Sequence, residues 1–437
     1  MGMAMGRRKP KQRDLWVSTQ EIARPASHPF YRRVNQVLEE KGLDRKVEHL
    51  CQRFYRPVLG RPSVAPGVYF RMLLIGYCEG IDSERGIAWR VADSLSLREF
   101  PGFSVTEQTP DHSSVSRTRR LLALETHRAV FRWFVQVLGE EGLLEAQTVA
   151  IDATTLEANA AMRSIRRRDD GRSYEEYLTG LAQAEGIAEP KREQLARLDR
   201  KRKKKTSNQE WKSPSDPDAR IAKMKDGRTH LAHKAEHAVD LGSGAIVAIT
   251  LQGADQGDTT TVLETLREAR SNAELVNQRG VEEVVADKGY HSGAALIRMQ
   301  QASVRTYIPE PERGRRDWQG RETERARVYA NRRRVNGPRG RRLQKLRSEL
   351  VERSFAHMYE TGGMRRTHLR KRDNILKRLL IHAFGFNLAL LVRRQYGIGK
   401  PRTLQGSSTP ILMLQIAVIA LCAGWAESAV SGEEHYR

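Results

Sequence analysis

Two short apolar runs in this chain each stop on an aspartate. Val149, Ala150 and Ile151 lead into Asp152, and Val284, Val285 and Ala286 lead into Asp287. Runs this short, rich in small and β-branched residues and bounded by polar or glycine-bearing segments, read as buried strands. A strand of that kind delivers its closing carboxylate to the end of a sheet, the place where open α/β sheets hold their ligands. The chain before the first run reads differently. Over residues 28–145 the apolar positions recur every three or four residues, as in Val34, Val37 and Leu38, then Tyr69, Met72, Leu73 and Tyr77, and no period-2 strand is found. The fold class that follows is α/β: a mixed sheet flanked by helices, preceded by an all-helical N-terminal domain.

Within the helical part, "SERGIAWRVADSLSLREF" (83–100) and "TPDHSSVSRTRRLL" (109–122) are two short helices separated by a loop that carries Pro and Gly. The second opens on Pro110 and Asp111, both suited to a helix start. It presents Ser113, Ser114, Arg117, Arg119 and Arg120. That set suits helix-turn-helix docking on DNA, because serine and arginine reach phosphates and arginine reads guanine edges. A solvated helix face accounts for the same residues.

After the first strand comes a hydrophilic segment, 163–228, with "RRRDDGR" (166–172), "KRKKK" (201–205) and "SPSDPD" (213–218). Low hydrophobicity with dense charge predicts an insertion or flexible excursion. The run "KRKKK" is read as substrate contact or solvated surface. Regularity returns at 229–253, where "DLGSG" joins two strands into a hairpin, and residues 258–270 form a helix with Val262, Leu263, Leu266 and Ala269 on one face. His230, His233 and His237 on the hairpin are expected at surface or DNA-facing positions, since their spacing belongs to a helix and the segment is a strand. Beyond Asp287 follow a helix from Ser292, a short strand at 304–309, the basic segment 331–342, and a helix in which Leu343, Leu346 and Leu350 line one face. Glu352 sits in that helix between Val351 and Phe355; alone, it would be read as a surface ion pair.

Charge narrows the partner. Lys and Arg number 76 against 53 Asp and Glu, a formal net charge of +23. The excess is spread along the chain and favours a polyanion, nucleic acid first. Cys51, Cys78 and Cys422 are far apart and lack metal-ligand spacing, which argues against a disulfide framework or a structural zinc site and fits a reducing cytoplasm. The start, 1–27, reads as a basic disordered tail without the apolar run of a signal peptide. Near the other end, in a tail spanning 396–437, the apolar run at 411–426 falls short of the roughly 20 residues that a bilayer needs and is read as a buried or partner-packing helix.

If the two aspartate-closed strands are neighbours and the later helix brings Glu352 alongside, three carboxylates face one another and repel. Divalent cations resolve that repulsion. Two Mg2+ ions roughly 3.5 to 4 Å apart can clamp the attacking and leaving oxygens of an in-line phosphoryl displacement. Lys288 and His291, beside Asp287, either touch the scissile phosphate or set the turn after the strand.

With these motifs in place the chain resembles bacterial insertion-sequence transposases of the DDE type. The resemblance runs from about residue 28 to residue 395 and rests on "AIDATTLEANA", "RIAKMKDGRTHLAHKAEHAVDLGSGAIVA", "VVADKGYHSG", "VERSFAHMYETGGMRR" and "NILKRLLIHAFGFNLALLVR". It implies a ribonuclease H-like catalytic domain at 146–395, interrupted by the basic insertion, behind a DNA-binding domain at 28–145. It implies Asp152, Asp287 and Glu352 as catalytic, metal-binding residues, two Mg2+ or Mn2+ ions, and DNA as partner, both terminal inverted repeats and target. A dimer or higher oligomer that pairs two ends, a bacterial cytoplasmic location and no membrane are implied as well. Many relatives carry Tyr and Arg before the glutamate and Lys or Arg six places after it. Here those places include Ser348 and Met358, so Arg347 before and Arg365 or Arg366 after are the replacements. A ribonuclease H-like nuclease or resolvase that cuts without joining, and an inactive DNA-binding remnant, are the alternatives.

Overall fold

The computed structural model describes residues 28–56, 63–202, 206–224, 227–312, 314 and 316–399. The basic start at 1–27, positions 203–205 of the lysine run and the apolar run at 411–426 lie outside the described residues.

Seven helices come first: α1 (Pro29–Glu40), α2 (Leu43–Cys51), α3 (Pro66–Glu79), α4 (Glu84–Asp93), α5 (Leu95–Glu99), α6 (His112–Leu121) and α7 (Leu124–Glu140). Their starts are signalled locally. Ser83 and Asp111 cap α4 and α6 by accepting from the backbone N–H of Gly86 and Ser114, and Pro29 and Pro66 sit in the first turns of α1 and α3. Val34, Val37 and Leu38 are buried, as are Tyr69, Met72, Leu73 and Tyr77, so the three-and-four spacing marks the inward faces.

The chain then enters β1 (Thr148–Glu157), which runs five residues past Asp152 because its pairing with the next long strand continues to Glu157; the expectation that this strand closes on Asp152 is corrected, and the carboxylate is mid-strand. The hydrophilic segment that follows is folded. Strand β2 (Arg166–Arg167), helices α8 (Tyr174–Ala184) and α9 (Arg192–Lys201), and strand β3 (Trp211–Lys212) surround a small core of their own, with β2 and β3 paired antiparallel. Trp211 is fully buried, with the rings of Tyr174 and Tyr177 edge-on to it at 5.2 and 5.4 Å and the Arg167 guanidinium over Tyr177. The expectation of a flexible excursion is corrected to this extent. Its charge is the outer surface of a small aromatic core whose members lie too far apart in sequence to register as a pattern.

The sheet is completed by β4 (Arg220–Lys223), β5 (Thr229–Asp240) and β6 (Ile246–Gly253), then, after α10 (Asp258–Ala273), by β7 (Glu283–Ala286), and, after α11 (Gly293–Gln301), by β8 (Arg305–Tyr307). Strand order is β4-β5-β1-β7-β8, with β6 also on β5. β5 pairs antiparallel with β1, β4 and β6, whereas β7 lies parallel to β1 and β8 parallel to β7. An antiparallel hairpin on one side of a central strand and two parallel strands on the other is the ribonuclease H-like arrangement. The turn between β5 and β6 is held by Asp240, whose Oδ2 accepts from the backbone N–H of Gly242 and Ser243.

Both faces of this sheet are covered. Asp152 lies opposite His237, and Ala153 opposite Glu236. Side chains alternate along a strand, so His237 and Glu236 point to opposite faces. Glu236 meets Thr261 and Thr265 of α10. His237 meets Ser354 and Tyr359, from α13 (Pro338–Phe355), which follows α12 (Glu322–Asn336), and from the π-helical turn Ala356–Thr361 behind it. The last helix, α14 (Arg372–Tyr396), packs on α3, α7 and β6 and so ties the N-terminal helices to the sheet in one core. It is long and apolar enough to cross a membrane by length and composition, yet 89% of its apolar window is buried inside the protein. A helix enclosed on all sides needs that apolarity.

Candidate active site

The parallel pairing of β1 with β7 sets the geometry. Ile151 is in register with Ala286, so Asp152, in the middle of β1, and Asp287, the first residue beyond β7, come side by side. The Oδ1 of Asp152 accepts from the N–H of Ala153 at 2.8 Å, and its Oδ2 accepts from Nη1 of Arg347 on α13 at 2.7 Å. Burial pushes the Asp152 carboxyl up to about 6. The Ala153 N–H and Arg347 act against that rise, and the charges of Asp287 and Asp258 add to it. Asp287 caps the short 3-10 turn Lys288–Tyr290 by accepting from the N–H of Gly289 at 2.8 Å.

A third aspartate, missed in the sequence, belongs to this cluster. Asp258 opens α10, and a Cβ on Gly289 would lie 2.7 Å from its Oδ2 and 3.0 Å from Oδ1 of Asp287. The two carboxylates therefore flank one point that glycine alone leaves free. Asp258 is held by buried Lys234, whose Nζ stands 2.6 Å from its Oδ1, 3.1 Å from Oε1 of Glu236, and donates to Thr261 Oγ1 at 2.8 Å. Tyr290, in the turn after Asp287, donates to Glu236 at 3.2 Å. The only sequence hint was an aspartate at a helix start. Its meaning depends on a lysine and a glutamate of β5 that look like ordinary strand polarity.

Glu352 lies on the helix that carries Arg347. Five residues before it Arg347 reaches Asp152, and two residues after it Ser354 is bonded to His237, the register partner of Asp152. The Glu352 side chain is exposed and makes no hydrogen bond or ion pair among the described residues. No three His, Cys, Asp or Glu side chains among the described residues stand close enough together to hold a metal ion. The structure thus sets two aspartates together and Glu352 on the adjoining helix. Asp152 and Asp287 offer carboxylate oxygens side by side, a donor type that suits a hard divalent cation.

Two of the three hairpin histidines differ from expectation, while His230 is part-exposed, 3.7 Å from Glu157. His233 and His237 are fully buried, His233 against Asp216 at 3.0 Å. Ser354 Oγ donates to the carbonyl of Val351, so it accepts from Nδ1–H of His237, and Nε2 accepts from the Tyr359 hydroxyl at 2.5 Å. Burial lowers the pKa of His237 to about 3, so it is neutral.

The basic candidates divide. Arg117, Arg120 and Lys288 are exposed. Arg119 turns inward, its Nε donating to Glu84 at 2.6 Å, and His291 is buried at 1% exposure; neither is on an outward surface. Arg365 donates to Thr154 Oγ1 at 3.2 Å, on the same face of β1 as Asp152, and exposed Arg366 stands 3.5 Å from Glu157. The backbone of Arg365–Thr367 hydrogen-bonds to Glu157 at the end of β1, which fixes both arginines beside that strand.

Residues 145–388, more than half of the chain, match the family model described as transposase DDE domain. The chain belongs to the DDE transposases. A second match, to the model described as transposase domain (DUF772), covers residues 18–121 of the transposase and includes α1 to α6. No curated protein matches it. The DDE match begins just before β1 and ends inside α14, so it takes in Asp152 on β1, Asp287 just beyond β7, the folded segment 166–212 and Glu352.

Proposed function

We propose that this transposase binds the ends of an insertion sequence, cuts a DNA strand there, and joins the freed end to target DNA. The observation that carries the reading is the emergence of Asp152 and Asp287 from adjacent parallel strands of a DDE domain. Asp152, Asp287 and Glu352 are the residues that would hold two Mg2+ or Mn2+ ions. Those cations would supply charge stabilisation and activation of the attacking oxygen during phosphoryl transfer. Asp152 is held in the middle of β1, Asp287 directly follows β7, and exposed, unpaired Glu352 is available from α13.

The chain's own residues then have distinct tasks. Lys288, exposed beside Asp287, contacts the scissile phosphate. Arg347, Arg365 and Arg366, gathered along β1, steady the cleaved strand by charge-assisted bonds to phosphates. Arg117 and Arg120 on α6 contact the element ends through the helical region 28–145. The assembly that pairs two ends is a dimer or larger, acting in the bacterial cytoplasm.

The test is a strand-transfer assay. Labelled duplexes carrying the element's terminal sequence, intact or precut, are incubated with the full chain, target plasmid and Mg2+, with and without chelator. Cation-dependent cutting and joining support the reading; cutting without joining of precut ends identifies a nuclease instead.

A further inference from the structure

A second basic feature lies away from the aspartates, at the far edge of the sheet. Edge strand β8, α11 and α12 enclose a cavity of about 510 Å³ lined by Arg305, Arg327 and Arg334, with Gln300, Ser303 and Thr306 among them. None of the lining residues is acidic. Arg327 has no carboxylate partner among the described residues, and the nearest partner of Arg305 is Glu283 at 3.9 Å. Arg334 is fixed against the strand, donating from Nε to the Thr306 carbonyl at 3.0 Å and from Nη2 to the Thr306 hydroxyl at 3.2 Å. Burial lowers its pKa from the ordinary arginine value; Tyr307 opposes that, and Arg305, Arg333 and Arg327 lower it further. Elsewhere in this part of the chain arginines find carboxylates: Arg316 and Arg332 with Glu310, Arg321 with Glu324, Arg339 with Glu283. Guanidiniums gathered with donors and without an acid are unfavourable unless an anion joins them.

We infer that this cavity is a phosphate subsite that grips the DNA backbone outside the catalytic aspartates. The inference rests on the reading of the chain as a DNA transposase. Arg305 is in register with Glu283, four residues before Asp287 on β7. At the strand rise of roughly 3.3 Å per residue, the subsite stands about 13 Å along the sheet from the catalytic end. That is a separation of a couple of nucleotides, so the site would hold flanking duplex and leave the scissile position to the aspartates. Planar guanidiniums suit a phosphodiester because they offer paired donors to its oxygens.

The experiment measures binding of a fluorescent duplex carrying the element end to the full chain by anisotropy, over a salt series. The proteins are wild type, Arg327→Gln, the double variant Arg305→Gln/Arg327→Gln, and Arg327→Lys; Arg334 is left intact because it braces β8. Each lost phosphate contact should reduce the slope of log affinity against log salt by about 0.9. The double variant should bind about tenfold more weakly at moderate salt, and Arg327→Lys should keep most of the wild-type slope. Unchanged melting temperatures would tie these losses to binding. Wild-type slope in the double variant overturns the subsite while leaving DNA binding in place. A wild type that shows no salt-dependent binding to duplex overturns both the subsite and the reading beneath it. Thermal stabilisation by inorganic phosphate or a nucleoside triphosphate that the double variant loses, with duplex affinity unaltered, would assign the cavity to a free anion and also overturn the proposal.

Discussion

Arg347 and Asp152, 195 residues apart in sequence, share a hydrogen bond of 2.7 Å that joins α13 to the middle of the central strand. The guanidinium supplies the positive charge that a half-buried carboxylate beside two other aspartates requires. Arg347→Gln should therefore lower thermal stability without added metal, by about 1 kcal/mol. Mn2+ should then raise its melting temperature by more than it raises the wild type's. Equal Mn2+ responses in a differential scanning fluorimetry series would show that arginine and cation do not act on the same carboxylate.

Gly289 lies where the carboxylates of Asp258 and Asp287 approach from two sides, with 2.7 and 3.0 Å available to a Cβ. Contacts that close to carboxylate oxygens force side chains or the turn to move. Gly289→Ala should leave the fold intact, since the turn is at the surface, and cut strand cleavage by at least tenfold. Circular dichroism and a cleavage time course on the same preparation check both halves; full cleavage by the variant would remove Asp258 from the site.

How much of this site the sequence revealed depends on how local each signal was. Asp287 was legible because an apolar run and its closing carboxylate are contiguous; the same pattern found Asp152, but not that its strand runs on to Glu157, which depends on pairing with distant β5. The hairpin was legible from its turn. Lys234 and Glu236 were not, because a charged residue in a strand reads as solvent-facing until the sheet is known to be covered on both faces, and Asp258 reads as an ordinary helix-start acid until those two are known to meet it. The buried histidines failed for the same reason: Asp216, Ser354 and Tyr359, which bond to them, come from distant segments. Arg119 looked like a DNA contact on a helix face until Glu84, 35 residues earlier, met it.

His237 fastens α13 to β5 behind Asp152 through two hydrogen bonds, and the π-helical turn brings Tyr359 to it. His237→Ala removes a fully buried ring and strands both partners, so it should cost roughly 2 to 4 kcal/mol in urea unfolding. Tyr359→Phe should cost about 1 kcal/mol. A His237→Ala loss no larger than that of Tyr359→Phe would mean that the histidine is not the clamp.

Mild acid should destabilise the protein through its buried histidines. Burial lowers the pKa of His127 to about 4 and of His237 to about 3, and lowers that of His382 well below 6.5. Below about 6.5 the unfolded chain takes up protons at these residues and the native state does not, so stability is full above that pH and is lost as pH falls toward the native values. Asp152 works the other way between about 6 and 4, because its native form keeps a proton that the unfolded chain releases. Asp240, raised by burial in the same direction, adds to Asp152, and the three histidines outweigh the two aspartates. Urea midpoints should fall steadily from pH 7.5 to 4.5, and a flat profile over that range would show that the histidines are not buried in neutral form.

The most direct measurement is cleavage of a labelled element-end duplex by wild type, Asp152→Asn and Asp287→Asn in Mg2+, with duplex affinity measured on the same three proteins. The account requires wild-type cleavage that chelator abolishes, no detectable cleavage by either variant, and end binding within about threefold of wild type, since the substitutions remove cation ligands and leave the DNA-contacting arginines alone. Cleavage that persists in either variant would contradict it.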